Sequence, residues 1–526
     1  MKQLLYLIIP SFLLLLISCQ KSSDTPQLNT STTSVTLSGD VGGVDSFMIQ
    51  SSVKWTISVS PSTATWIKTS ITSGNGNNKV LVTALENNLG ATVRTATITI
   101  SPLGNSSLQP VVITVTQKSS IPNVLWSKLF GGTSFEAISE MVKTADGGYI
   151  IAGSSGSNNG DVSGSYGGGD GWVMKLDANG NKQWSKLFGG TINDAFFAIF
   201  ATSEGGYLMA GSTNSHDVDV NGNHGSSDAW VLKMDANGNK QWSKLFGGTA
   251  SDALTSIAAT NDGGYVMSGY SYSNNDDVSG NNGGNDAWVI KLDANGNKQW
   301  SKLYGGTQNE GASTIIVTTD GGFVIAGSTS SNNGDFSGNH GESDTWVMKL
   351  DASGNKKWIK LFGGTLYDSN TSIIAAPDGG YLMAGSSNSN DGDVNGNHGS
   401  YYDAWLVKLD ANGNKQWSKL FGGTQHDGAS FITATADGGY VMTGFTYSND
   451  GDISGNKGNS DALIIKVDAN GNKQWGKLFG GTQDDVSYPI IAAAGSYVIA
   501  GESKSNDGDF NGNHGDYDVW LMKLKP

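Results

Sequence analysis

Cysteine occurs once in the 526 residues, at Cys19. A single cysteine excludes disulfides within the chain and thiolate clusters that could hold a metal. Arginine is equally rare, with Arg94 alone, and the formal net charge is −15. Phosphate recognition needs clustered positive charge, so a nucleic-acid partner is excluded. Proline is scarce at 9 residues while glycine reaches 74, a balance that fits many turns between short strands and not a Pro-rich disordered chain. Histidine is also sparse: His216, His224, His340, His398, His426 and His514. Four of the six recur at one repeated loop position, so they stand on different structural units and cannot cluster. No Ser-His-Asp set stands out from the repeat, and the chain is expected not to be an enzyme.

One long apolar run is present, Leu4 to Ile17, behind the positive Lys2. It is too short and too lopsided for a spanning helix and reads as a signal peptide over residues 1–18. The run ends Leu16-Ile17-Ser18-Cys19, which resembles the lipobox of bacterial lipoproteins. The resemblance implies that Cys19 becomes the lipidated N-terminus and anchors the chain to a membrane. Gln20 after the cysteine implies the outer membrane by known sorting rules, so the expected location is the cell envelope. Residues 19–28 are polar and form a tether.

Residues 29–118 read as an all-β domain. Thr56-Ile57-Ser58-Val59, Val80-Leu81-Val82-Thr83, Thr95 to Ile100 and Val111 to Thr116 are rich in β-branched residues. About seven short strands over ninety residues suggest a β-sandwich. This segment resembles the BACON domain through Lys54-Trp55-Thr56-Ile57, Trp66-Ile67, Gly74 to Asn77, Asn87, Arg94-Thr95-Ala96-Thr97-Ile98 and Val115-Thr116-Gln117. The resemblance implies an Ig-like fold that binds carbohydrate or serves as a spacer. Trp55 and Trp66 either stack on a sugar or fill the sandwich core.

From Val124 to Pro526 the chain repeats. Gly-Gly-Thr begins at Gly131, Gly189, Gly247, Gly305, Gly363, Gly422 and Gly480. The third copy shows four strand-like runs, Thr255 to Thr260, Tyr265 to Gly269, Ala287 to Asp293 and Lys298 to Leu303. Four strands in each of seven repeats predict a seven-bladed β-propeller. The order of strands and turns resembles NHL and SBBP propeller repeats, whose corresponding first strand is innermost. That phase leaves the last repeat without its fourth strand and predicts that Leu125 to Phe130 supplies it, closing the ring.

Propeller sites are expected on the face that collects the long loops. Each Gly-Gly-Thr loop carries an acid, giving Glu136, Asp194, Asp252, Glu310, Asp368, Asp427 and Asp485. These either ring a channel mouth as a cation or polar-ligand funnel or accept loop N–H bonds locally. The long loop between second and third strands follows a D-x-[DN]-x-[DN]-G template. In the second copy it reads Asp217, Asp219, Asn221, Gly222 and a closing Asp228. The other copies supply Asn159, Asp161 and Asp170; Asn275, Asp277 and Asp286; Asn333, Asp335 and Asp344; Asp391, Asp393, Asn395 and Asp403; Asp450, Asp452 and Asp461; and Asp507, Asp509, Asn511 and Asp518. Alternating oxygen donors around a sharp glycine turn fit calcium, while a polar turn without an ion fits the same residues.

Thirteen tryptophans recur with the repeat, at the third and fourth strands, and read as packing. Tyr401 and Tyr402 break the symmetry and are the candidate ligand contacts. The chain is therefore expected to be a monomeric, lipid-anchored module that binds a glycan or a surface protein through its long-loop face. A polysaccharide hydrolase or lyase, and a passive scaffold, are the rival readings.

Overall fold

A computed structural model describes residues 25–39, 42–86, 88, 93–105, 107–119, 122–493 and 495–525. Cys19, the signal segment, most of the tether and Asn87 lie outside the described residues. The chain divides into two compact units, residues 1–120 and 121–526. Among the described residues every regular element is a β-strand.

The first unit pairs two sheets around one apolar core. One sheet contains Leu28–Thr30, Val44–Ser51, Asn78–Ala84 and Ile67–Thr69; the other contains Ser34–Leu37, Val111–Gln117, Arg94–Leu103, Lys54–Ser60 and Ser73–Asn75. Alternating residues such as Phe47, Ile49, Val80, Val82, Ile98, Ile100, Ile113 and Val115 point into the shared core, as the period-two pattern dictates. Among the described residues this unit has nine strands where the sequence suggested about seven. Trp55 is fully buried and donates its indole N–H to Gly76 O at 3.0 Å. Trp66 is buried too, with the Arg94 guanidinium 4.7 Å above its ring. Both side chains are core residues, so neither offers a face for sugar stacking.

The second unit consists of seven four-stranded antiparallel sheets. In the third repeat the strands are Asp252–Ala259, Tyr265–Ser271, Asp286–Leu292 and Lys298–Tyr304. The first strand thus starts three residues earlier than the sequence reading placed it, at the repeated acid. The seventh sheet joins Asp485–Ala493, Ser496–Ser503 and Asp518–Lys525 to Asn123–Phe130, the first strand of the unit. First strands of successive sheets are neighbours, and that of the first sheet also neighbours that of the seventh. Six of them line a common cavity of about 620 Å³, with Glu140, Phe197, Thr255, Ser313, Thr371 and Phe431 among its walls.

Packing explains the repeated residues. The third-strand tryptophans Trp172, Trp230, Trp288, Trp346, Trp405 and Trp520 are buried between sheets. The fourth-strand tryptophans lie against the Asn-Gly turn of the following repeat: a Cβ on Gly180 would stand 2.8 Å from Trp126, and one on Gly296 2.6 Å from Trp242. The third-strand lysines reach the hairpin turn beside them, Lys291 to Asp262 at 2.7 Å and Lys408 to Asp378 at 2.7 Å.

Candidate functional site

The repeated acids do not ring an open mouth. Glu136, Asp194, Asp252, Glu310, Asp368, Asp427 and Asp485 are buried, and each opens a first strand. Asp252 accepts hydrogen bonds from Gly248 N at 2.8 Å, from Ser273 Oγ at 2.8 Å and from Ser271 Oγ. Glu136 accepts from Gly132 N and Ser155 Oγ, each at 2.7 Å. The funnel expectation is therefore corrected: these carboxylates brace the Gly-Gly-Thr loop. A paired signal went unread in the sequence, the Ser/Thr-x-Ser that ends each second strand and supplies these hydroxyls.

The calcium template disperses among several partners. First-position oxygens accept the threonine N–H of the Gly-Gly-Thr loop, as Asp217 does from Thr191 at 2.9 Å and Asn159 from Thr133 at 2.9 Å. The equivalents Asn275, Asn333, Asp391, Asp450 and Asp507 repeat this bond. Third-position carboxylates meet a fourth-strand lysine: Asp161 with Lys182, Asp219 with Lys240, Asp277 with Lys298, Asp335 with Lys356 and Asp393 with Lys415. Lys473 stands 3.9 Å from Asp452, and Asp509 pairs with Lys457. Asn221, Asn395 and Asn511 are exposed. Among the described residues no three His, Cys, Asp or Glu side chains form a metal-binding group.

The closing aspartates serve the junction between repeats. Asp170, Asp228, Asp286, Asp344, Asp403, Asp461 and Asp518 are fully buried. One oxygen of each accepts a backbone N–H, as Asp286 does from Asn282 at 3.1 Å. Four accept in addition from a histidine, such as His224 Nδ1 at 2.6 Å from Asp228. The other oxygen has no hydrogen-bond partner and faces the first glycine of the next Gly-Gly-Thr. A Cβ on Gly189 would lie 2.8 Å from Asp170 Oδ1 and 2.5 Å from Asp194 Oδ2. Two buried carboxylates from adjacent repeats therefore converge where only glycine fits. Burial, with Glu310 nearby, pushes Asp286 up to about 6, and burial, with Asp485 nearby, pushes Asp461 up to about 6.

Sequence symmetry breaks on the long-loop side. Tyr367, Tyr402, His426, Phe445 and Tyr447 line a cleft of about 510 Å³ with Ser343, Ser369, Ser386 and the buried Asp368. The Tyr402 and His426 rings stack at 5.6 Å, Tyr401 lies 4.4 Å from His426, and Tyr447 meets His426 edge-on at 6.4 Å. Backbone bonds tie the walls together: Asp427 N donates to Tyr402 O at 2.6 Å and Tyr447 N to His426 O at 2.8 Å. Tyr367, Tyr401 and Tyr447 remain exposed. The sequence reading found Tyr401 and Tyr402; it missed Tyr367, His426, Phe445 and Tyr447.

Their signal is visible by comparing repeats. The residue before the buried acid is Phe135, Asn193, Ser251, Asn309, Tyr367, His426 or Asp484. The Phe445 position holds Ser154, Ser212, Tyr270, Ser328, Ser386, Phe445 or Glu502, and the Tyr447 position Gly156, Asn214, Tyr272, Ser330, Asn388, Tyr447 or Lys504. The Tyr402 position holds Gly169, Ser227, Asn285, Ser343, Tyr402, Ser460 or Tyr517. Residues beside them in the chain, the Gly-Gly-Thr and the buried acid, hardly vary.

Residues 55–118 match the BACON family model, described as "Putative binding domain, N-terminal". The chain is similar to the regulatory protein FlaEY of Caulobacter vibrioides, 31% identical over 180 residues, 32% of this chain. It spans 18% of that relative's length. Among solved structures, a Bacteroides ovatus GH5 xyloglucanase in complex with a XXXG heptasaccharide is 22% identical over 24% of this chain and 30% of that one, at a TM-score of 0.16. A Synechocystis apocarotenoid oxygenase is 12% identical over 57% of this chain and 64% of its own, at a TM-score of 0.33.

Proposed function

We propose that the protein is a lipid-anchored envelope module, not an enzyme, whose aromatic cleft holds a glycan. The reading rests on the cleft around Tyr402 and His426. Exposed aromatic faces rimmed by hydroxyls and one imidazole suit pyranose rings, which offer an apolar face and a polar edge. The cleft's one carboxylate, Asp368, is occupied by Gly364 N at 2.7 Å and by Ser387 and Ser389, which favours holding a ligand over transforming it. We propose further that the seven sheets close into a β-propeller, akin to NHL and SBBP repeats. The shared cavity of the first strands, the contact between first and seventh sheets, and the pairing of Asn123–Phe130 with Asp518–Lys525 support this. Cys19 carries the lipid, and the outer membrane is the proposed location.

A panel of soluble glucans, xylans and mannans, screened by affinity electrophoresis, tests the reading. Retardation by at least one polysaccharide, lost in Tyr402→Ala and His426→Ala, is expected. Failure of the whole panel refutes it, and release of reducing sugar would instead establish a hydrolase or lyase. Capture of a surface protein by the same cleft, with no glycan bound, would replace the ligand class.

A further inference from the structure

The cavity shared by the first strands has one ionisable side chain in its described wall, Glu140, among threonines, serines, aliphatic residues and phenylalanines. That wall is less polar than its composition, because its hydroxyls are donated to neighbouring strands. Thr255 donates to Ala312 O at 2.7 Å, Ser313 to Asn370 O at 2.8 Å and Thr371 to Ala429 O at 2.8 Å. Phe197, Phe431, Ile257, Ile316 and Ile374 are half-buried and supply the apolar remainder.

Glu140 exceeds what the fold needs at its position. Its Oε2 accepts the Ile199 N–H of the next sheet at 2.8 Å. The equivalent Ser256 accepts the Ile315 N–H at 3.2 Å with a mere hydroxyl, and Ala198 fills the position with no side-chain acceptor at all. Glu140 Oε1 carries no hydrogen bond or ion pair among the described residues. Burial pushes the carboxyl up to about 7, the cost of ionising without a counter-charge.

We propose that this cavity binds a small primary amine with an apolar body, its ammonium on Glu140 Oε1 and its hydrocarbon against Phe197, Phe431 and the isoleucines. The proposal is independent of the glycan cleft. Charge complementarity selects the class: an ammonium supplies both the counter-charge and the N–H donor that the carboxylate lacks. Aromatic faces attract a cation most where water is displaced. A neutral alcohol brings no counter-charge, and an anion is repelled. A volume of about 620 Å³ suits a small organic molecule.

Calorimetric titration of the purified protein at pH 8 with butylamine, cyclohexylamine and phenethylamine, each against its corresponding alcohol, tests this. At least one amine should bind at least about tenfold more tightly than its alcohol. Glu140→Gln, which keeps an acceptor for Ile199 N, should abolish that preference. The amines stay charged between pH 5 and pH 8, whereas Glu140 is protonated at pH 5. The parent's amine affinity should therefore fall at least about tenfold from pH 8 to pH 5. On the strands packed against Glu140, the carboxylates of Glu136, Asp194 and Asp485 brace their loops, Lys143 is exposed, and burial keeps Tyr149 and Tyr488 neutral. Glu502, also pushed up to about 7 by burial, accepts the Ile138 N–H, so the pH step counts for Glu140 only where Glu140→Gln removes it. Amines that bind no better than their alcohols, or a preference that survives Glu140→Gln, overturn the proposal. So does an absence of binding by every amine at about 10 mM. Should the variant not fold, the amine–alcohol and pH comparisons on the parent decide.

Discussion

Replacing Asp286 by asparagine should stabilise the repeat unit at alkaline pH. Asp286 is fully buried, with one oxygen bonded to Asn282 N and the other unpartnered beside Gly305 and Glu310. Its pKa rises from 3.8 to about 6 on folding. The folded state therefore keeps a proton that the unfolded chain releases, and stability falls as pH rises from about 4 to about 6. Above that window the loss is complete, about 3 kcal/mol for a shift of this size. Asparagine keeps the acceptor for Asn282 N and places a neutral amide where the second carboxylate oxygen stood, with N–H groups to offer Glu310. Urea or thermal unfolding of parent and Asp286→Asn at pH 8, 5 and 4 measures the effect. The variant should gain about 2 to 3 kcal/mol at pH 8, about half that at pH 5, and almost nothing at pH 4. A variant less stable than the parent at pH 8, or a gain independent of pH, refutes the paired-carboxylate account.

Gly305→Ala should cost at least about 3 kcal/mol, because its Cβ would stand 2.2 Å from Asp286 Oδ1; denaturant titration reads this, and a neutral result would mean the junction is looser than described. Deleting Asn123–Phe130 should lower the melting temperature of the whole repeat unit by exposing the edge of Asp518–Lys525; unchanged melting would show the strand is dispensable. Cys19→Ser should leave the protein unprocessed or soluble on membrane fractionation, and unchanged partitioning removes the lipid anchor. Calcium binding by the long loops requires lysines such as Lys240 to leave Asp219. Heat and a melting shift at several millimolar calcium, enhanced by Lys240→Met, would establish it, and no response would leave the loops braced by lysine alone.

Much of this architecture was legible because the chain states it seven times. The Asp-Gly-Gly and Asn-Gly turns bounded the strands, and the missing fourth strand of the last repeat pointed to Leu125 to Phe130, which pairs with Asp518–Lys525. The first-strand boundary was misplaced because Asp252 looks like a loop residue. Its carboxylate turns back onto Gly248 N four residues earlier and is held there by Ser271, the last residue of the second strand, and Ser273 just beyond it, which residue type does not announce. The long-loop template looks like a single unit in the sequence for a related reason. Asp217, Asp219 and Asp228 are close in sequence yet serve a neighbouring loop, a lysine and the next repeat. Tyr401 and Tyr402 stood out because two adjacent tyrosines break the repeat symmetry. His426 and Tyr367 did not, since each is a single substitution at a position that varies in every repeat, and only the fold brings them to one cleft.

The pairing of Asn123–Phe130 with Asp518–Lys525 also governs the order of events in biosynthesis. The earlier strand leaves the ribosome long before its partner exists. Until the C-terminus arrives, the partly apolar Val124-Leu125-Trp126 segment waits without a sheet, and every intermediate carries an open edge. Such a strand is free to complete the last sheet of another copy, so folding at high concentration favours swapped dimers. A C-terminal truncation of a few residues would prolong that wait indefinitely, turning a late folding step into a persistent adhesive edge.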